Sequence, residues 1–124
     1  MRRVLLVDDN PVVMAVYRSG LSMAGFTVDT AADGAAALAK VASTRPDAIV
    51  LDLMLPVIDG FEVLRRIRAD PALAAIPVIV FSNSYTTQRT NDLWEAGATQ
   101  VLGKATMTPK KLAEVVQSVV TSGT

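Results

Sequence analysis

Five short apolar runs, at residues 4–7, 26–30, 48–51, 78–81 and 101–102, constrain the fold of this chain more than any other feature. Such runs, rich in Val and Ile and too short for helices, read as strands buried on both faces. Between them lie amphipathic segments with helix punctuation. Pro11 follows Asn10 as an N1 proline follows its cap, and Val13, Val16, Gly20, Leu21 and Ala24 form an apolar stripe closing at Gly25. Asp33 is placed to cap a second helix whose Ala37, Leu38 and Val41 face inward. Asp59 and Glu62 have the spacing of a capping box, ahead of Leu64 and Ile67. Thr108 and Pro109 open the last helix, with Leu112, Val115, Val116 and Val119 on one side. The fourth helix, residues 86–96, is polar until Leu93 and Trp94 and is expected to be the least firmly anchored. Alternating strands and helices joined by right-handed crossovers predict an α/β fold with a doubly wound parallel sheet. The length of 124 residues suits one domain over residues 1–124.

Composition removes several chemistries. The chain has neither cysteine nor histidine, so it carries no disulfide, thiolate nucleophile, histidine triad or zinc site of the usual kind. Any phosphohistidine would have to come from another protein. Twelve basic and twelve acidic residues balance, so no overall field draws nucleic acid or an anionic membrane. The apolar run after Arg2 and Arg3 is too short for a signal peptide and meets acid at Asp8, so it reads as a strand of a soluble protein, and the lack of cysteine suits the expected cytoplasmic location.

In a doubly wound sheet, ligands bind beyond the carboxyl ends of the strands. There the first run ends in Asp8 and Asp9, the third in Asp52, the fourth in Ser82 and the fifth in Lys104. Taken alone, each has an ordinary explanation as a cap, a turn residue or a solvated charge. Together they put three carboxylates, a hydroxyl and an ammonium on one edge. Three crowded carboxylates call for a cation, and an all-oxygen set suits Mg²⁺. A metal, a lysine and a hydroxyl donor are what a transferring phosphoryl group needs around it, and Asp52 is the natural nucleophile.

These residues stand in longer matching stretches: VLLVDDN at 4–10, DAIVLDLMLPVIDG at 47–60, residues 77–82, EAGA at 95–98 and Lys104. Through them the chain resembles the receiver domain of two-component response regulators over nearly its whole length. The resemblance implies a flavodoxin-like five-stranded sheet in the order 2-1-3-4-5. It makes Asp52 the phosphoacceptor, Asp9 a direct Mg²⁺ ligand, Asp8 a ligand largely through water, and the Met54 backbone carbonyl a further ligand. Ser82 would hydrogen-bond the phosphoryl group and Lys104 would pair with it. A sensor histidine kinase or phosphotransfer protein would be the donor. A downstream protein would read the surface of the fourth helix, fifth strand and fifth helix, with no direct contact to nucleic acid or membrane and a monomer or weak dimer as the unit. The protein would catalyse only its own phosphorylation and dephosphorylation. It would act as a relay shuttle or by direct contact, unless it is a receiver cut from a longer chain.

The sequence departs from the receiver pattern on one side. Val101 stands where the switching aromatic is usual, and Ala105 follows Lys104 where a cis-proline is usual. A cis bond before alanine would cost about 3 kcal/mol, so a trans bond and a rebuilt loop are expected. Asn83 is expected to crowd the approach to Asp52. Met54 and Ser84 fall at positions that in receiver domains tune phosphoryl loss, and by that resemblance Met54, unable to position a water, predicts a long-lived phosphoryl state. These departures keep open a degenerate receiver that binds partners without phosphorylation. A phosphatase of the haloacid-dehalogenase kind would instead need an acid where Met54 stands. Arg65, Arg66 and Arg68, like Lys110 and Lys111, read as solvated helix faces. Leu93, Trp94 and Ala96 read as a packing seam, with Trp94 an alternative surface contact.

Overall fold

A computed structural model describes residues 2–82 and 87–122, without the side chains of residues 87–89 and 122. Asn83, Ser84, the expected start of the fourth helix at Thr86, and the last two residues lie outside the described residues. The elements run β1 (Arg3–Val7), α1 (Pro11–Met23), β2 (Thr27–Ala31), α2 (Gly34–Thr44), β3 (Ala48–Leu51), α3 (Gly60–Ala69), β4 (Val78–Ser82), α4 (Thr87–Ala96), β5 (Gln100–Gly103) and α5 (Pro109–Ser122). All four strand pairings are parallel, and the sheet order is β2-β1-β3-β4-β5. The doubly wound α/β expectation and its strand order are thus met.

Helix starts follow the sequence signals. The Asn10 carboxamide accepts from the Val12 and Val13 amides, at 3.0 and 3.2 Å. Asp33 accepts from the Ala36 amide at 2.7 Å and Thr108 Oγ1 from the Lys111 amide at 3.1 Å. α1 stops at Gly25, whose φ of +99° a glycine adopts without a Cβ penalty. At Asp59 only half of the capping box forms. Its carboxylate accepts from the Glu62 amide at 2.9 Å, whereas the Glu62 side chain turns to Arg65 and Arg66.

Side chains alternate across the sheet, which separates two cores. One lies under α2, α3 and α4 and includes Leu5, Val7, Ile49, Leu51, Val78, Val80 and Leu93. The other lies under α1 and α5 and includes Leu6, Val50, Ile79, Phe81, Leu112 and Val116.

Two further expectations are corrected. The buried stripe of α1 is Met14, Tyr17 and Leu21, while Val16 and Ala24 are exposed and Val13 is half-buried. Val12, Val13, Met14, Val16 and Tyr17 make α1 apolar on several sides, so periodicity alone does not set its phase. Arg68 is not solvated. Its guanidinium donates to the carbonyls of Gly97, Ala74 and Ile76 at 2.9, 3.1 and 2.7 Å, and at 3.4 Å to Thr99 Oγ1. That clasp ties the end of α3 to the α4–β5 turn, and burial lowers the pKa of Arg68. Arg65, Arg66, Lys110 and Lys111 are exposed as expected. On α4, Leu93 is fully buried and Ala96 packs beside the core, whereas Trp94 stands 46% exposed. No helix among the described residues is long and apolar enough to cross a membrane.

Candidate functional site

The sheet ladder carries on past the strand ends and sets the backbone of the site. The Asp8 amide donates to the Ala31 carbonyl and the Asp52 amide to the Val7 carbonyl, both at 3.1 Å. A close approach fixes the far side of β3. A Cβ on Gly60 would collide with the backbone of Asp52 and Leu53, so only glycine lets α3 begin against the strand that carries Asp52.

The expected residues converge at the carboxyl edge. Carboxylate oxygens of Asp8, Asp9 and Asp52 lie within 4.8 Å of one another. Asp8, Asp52 and Ser82 are buried and Asp9 is exposed. The Lys104 ammonium bridges two of the acids, 2.5 Å from Asp8 Oδ2 and 3.2 Å from Asp52 Oδ2. The remaining oxygens are engaged by the backbone. Asp8 Oδ1 accepts from the Asn10 amide at 2.9 Å, and Asp52 Oδ1 from the Met54 amide at 3.3 Å. The Met54 side chain is exposed, in an open groove with Asp9, Leu53, Leu55, Pro56 and Asp59.

Charge crowding has a direction. Burial raises the pKa of Asp52; Lys104 pulls it back and Asp8 adds to the rise, leaving it above the ordinary carboxylate value. For Lys104 burial acts downward, but hydrogen bonds and attraction from Asp8 and Asp52 together outweigh it, so its pKa is raised. One lysine thus faces two buried acids with a third beside them. The excess negative charge and the all-oxygen donor set fit a hard divalent cation.

The loop after Asp52 is unusual. The Ile58 amide donates to the Pro56 carbonyl at 2.8 Å, closing a three-residue turn around Val57 with φ +70°. A γ-turn of this hand is strained for a side chain with a Cβ. On the other side of the site, Lys104 begins a single 3₁₀ turn, Lys104–Thr106, and no cis peptide bond occurs among the described residues. The bond before Ala105 is therefore trans, as expected. Val101 pairs with Val80 and packs on the α2–α4 core.

Two site features escaped the sequence reading: the Phe81 ring beneath Lys104, 5.7 Å from Nζ, and the Tyr17 ring set edge-on to Phe81 at 4.9 Å. Each appears in the sequence only as one more apolar residue.

Comparison with known proteins agrees with this geometry. Residues 4–117 match the family described as response regulator receiver domain. The transcriptional regulatory protein PrrA of Mycobacterium leprae is 47% identical over 118 residues, covering 94% of this chain and 48% of that protein. The DNA-binding dual master transcriptional regulator RpaA of Synechocystis is 37% identical, covering 93% of this chain and 48% of that protein. The chain therefore spans about half the length of these relatives. Among solved structures, the chemotaxis protein CheY4 of Vibrio cholerae superposes with a TM-score of 0.88 at 33% identity, covering 96% of this chain and 98% of that one.

Proposed function

The chain belongs to the response regulator receiver domain family, and from that premise we propose that Asp52 accepts a phosphoryl group in a Mg²⁺-dependent reaction. Membership of the receiver family points to the phosphohistidine of a sensor histidine kinase or phosphotransfer protein as the donor. The observation that carries the reading is the meeting of Asp8, Asp9, Asp52 and Lys104 at one sheet edge, with one ammonium among the described residues against three carboxylates.

A carboxylate oxygen of Asp52 attacks phosphorus, the bond to the donor's imidazole nitrogen breaks, and the imidazole leaves with that electron pair. Asp8, Asp9 and Asp52, with the Met54 carbonyl, would hold the metal, which would supply charge neutralisation for the phosphoryl oxygens. Lys104 exchanges its contact with Asp52 for one with the phosphoryl group. Ser82, buried at the end of β4, donates to a phosphoryl oxygen. The domain, residues 1–124, acts in the cytoplasm as a monomer or weak dimer. It signals through protein contact at the α4–β5–α5 surface, and its only catalysis is its own phosphorylation and dephosphorylation.

The test compares wild type with Asp52→Asn for Mg²⁺-dependent beryllofluoride binding and for labelling by acetyl phosphate. Uptake by the wild type alone is the expected result. If the wild type shows none, the phosphoacceptor reading fails and a receiver acting only as an interaction module takes its place.

A further inference from the structure

We infer that Tyr17 is a positioning residue for Lys104, and that with Phe81 it couples the phosphoryl site to the start of α5 across the α1–α5 face of the sheet. The inference rests on the reading of Asp52 and Lys104 given above. Its basis is a chain of contacts with no gap. The Lys104 ammonium lies 5.7 Å from the centre of the Phe81 ring. That ring meets the Tyr17 ring edge-to-face, at 4.9 Å and 75° between planes. The Tyr17 hydroxyl donates to the Met107 carbonyl at 2.8 Å. Met107 in turn closes the 3₁₀ turn that Lys104 begins, its amide donating to the Lys104 carbonyl at 3.2 Å. The four residues form a closed circuit, so Lys104 is held at its side chain by the acids and the ring, and at its backbone by the turn that Tyr17 anchors.

Strand parity shows why this route is separate from one through β5. Val80 pairs with Val101, and Ser82 with Gly103, on one face; Phe81 pairs with Leu102 on the other. Val101 lies in the α2–α4 core and carries no ring. The aromatic pair lies in the α1–α5 core, where Tyr17, Phe81 and Met107 pack together with Leu112. A lysine drawn from Asp52 toward a phosphoryl group leaves its place over Phe81. The turn at 104–107, held to α1 by one hydroxyl, then passes the change to Thr108 and the first turn of α5. A coupling claim of this kind requires a shared element that both ends bias, and the 104–107 turn is that element.

The experiment records backbone amide shifts of the full chain before and after Mg²⁺ and beryllofluoride, in wild type, Tyr17→Phe and Phe81→Leu. Tyr17→Phe keeps the ring packing and deletes only the hydroxyl, and Phe81→Leu keeps the strand apolar if the first variant folds poorly. In the wild type, responses are expected at Asp52 and Met54 and again from Met107 to Lys111. In both variants the response at Asp52 and Met54 is retained, while that from Met107 to Lys111 is lost. A simple loss of stability would not separate the two regions in this way. A full response from Met107 to Lys111 in Tyr17→Phe overturns the inference and leaves the phosphoacceptor reading intact. No uptake by the wild type overturns both.

Discussion

Val57 is a residue whose backbone and side chain pull in opposite directions, and replacing it by glycine is expected to stabilise the protein. Its φ of +70° sits at the centre of the γ-turn closed by Pro56 and Ile58. A strained backbone of this kind costs on the order of 1–3 kcal/mol. The Val57 side chain is 81% exposed, so deleting it forfeits little burial. Glycine relieves the strain but gives the unfolded chain more freedom, which takes back roughly 0.4–1 kcal/mol. The net expectation for Val57→Gly is a gain of about 1 kcal/mol. With unfolding entropy near 2.1 cal/mol/K per residue over this length, that raises Tm by about 4 °C. Val57→Ala retains the Cβ and should stay within about 0.5 kcal/mol of wild type. Urea and thermal unfolding of the three proteins measure the effect, and a Val57→Gly variant less stable than wild type would refute the reasoning.

Other expectations concern the site and its supports. Arg68→Ala removes the donor for three carbonyls and should cost about 3 kcal/mol in urea unfolding, since each partly buried acceptor left unpaired costs roughly 1–3 kcal/mol; a loss under about 1 kcal/mol would contradict the clasp. For Asp52, the folded pKa is raised above its ordinary 3.8, so its contribution to metal-free stability is full below that value and is lost as pH rises through the folded pKa. Asp52→Asn should flatten that part of the pH–stability curve, and an unchanged curve would count against it. Glu62 behaves oppositely: Arg65 and Arg66 hydrogen bonds lower its pKa from 4.5 to about 2, so its contribution is present above 4.5 and lost as pH falls toward 2. Glu62→Gln should remove that acid-side loss in melts taken across the window. Finally, the exposed Met54 thioether cannot orient a hydrolytic water, so the phosphorylated state should outlast seconds when its decay is followed at constant Mg²⁺.

The five strands and the acidic edge were legible because continuous apolar runs and the residues that end them are local patterns, and Asp8, Asp52, Ser82 and Lys104 each end one. The fate of Arg68 was not local. Its neighbours Arg65 and Arg66 share a charge pattern with it, but only Arg68 meets the carbonyls of a turn some thirty residues away. The phase of α1 was hidden because valines stand on both candidate faces, and packing against Phe81 decides for Tyr17. The strain at Val57 left no trace either, since a valine between Pro56 and Ile58 reads as a loop residue until the backbone is seen.

The division of the interior into two cores has an evolutionary consequence. Residues on opposite faces of the sheet share few neighbours, so substitutions on one side should combine nearly additively with those on the other. The packing under α1 and α5 is then free to change while that under α2 and α3 changes separately. The sheet keeps the two apart, and the acid edge, with the surface that α4 and α5 share, is where both halves must still agree.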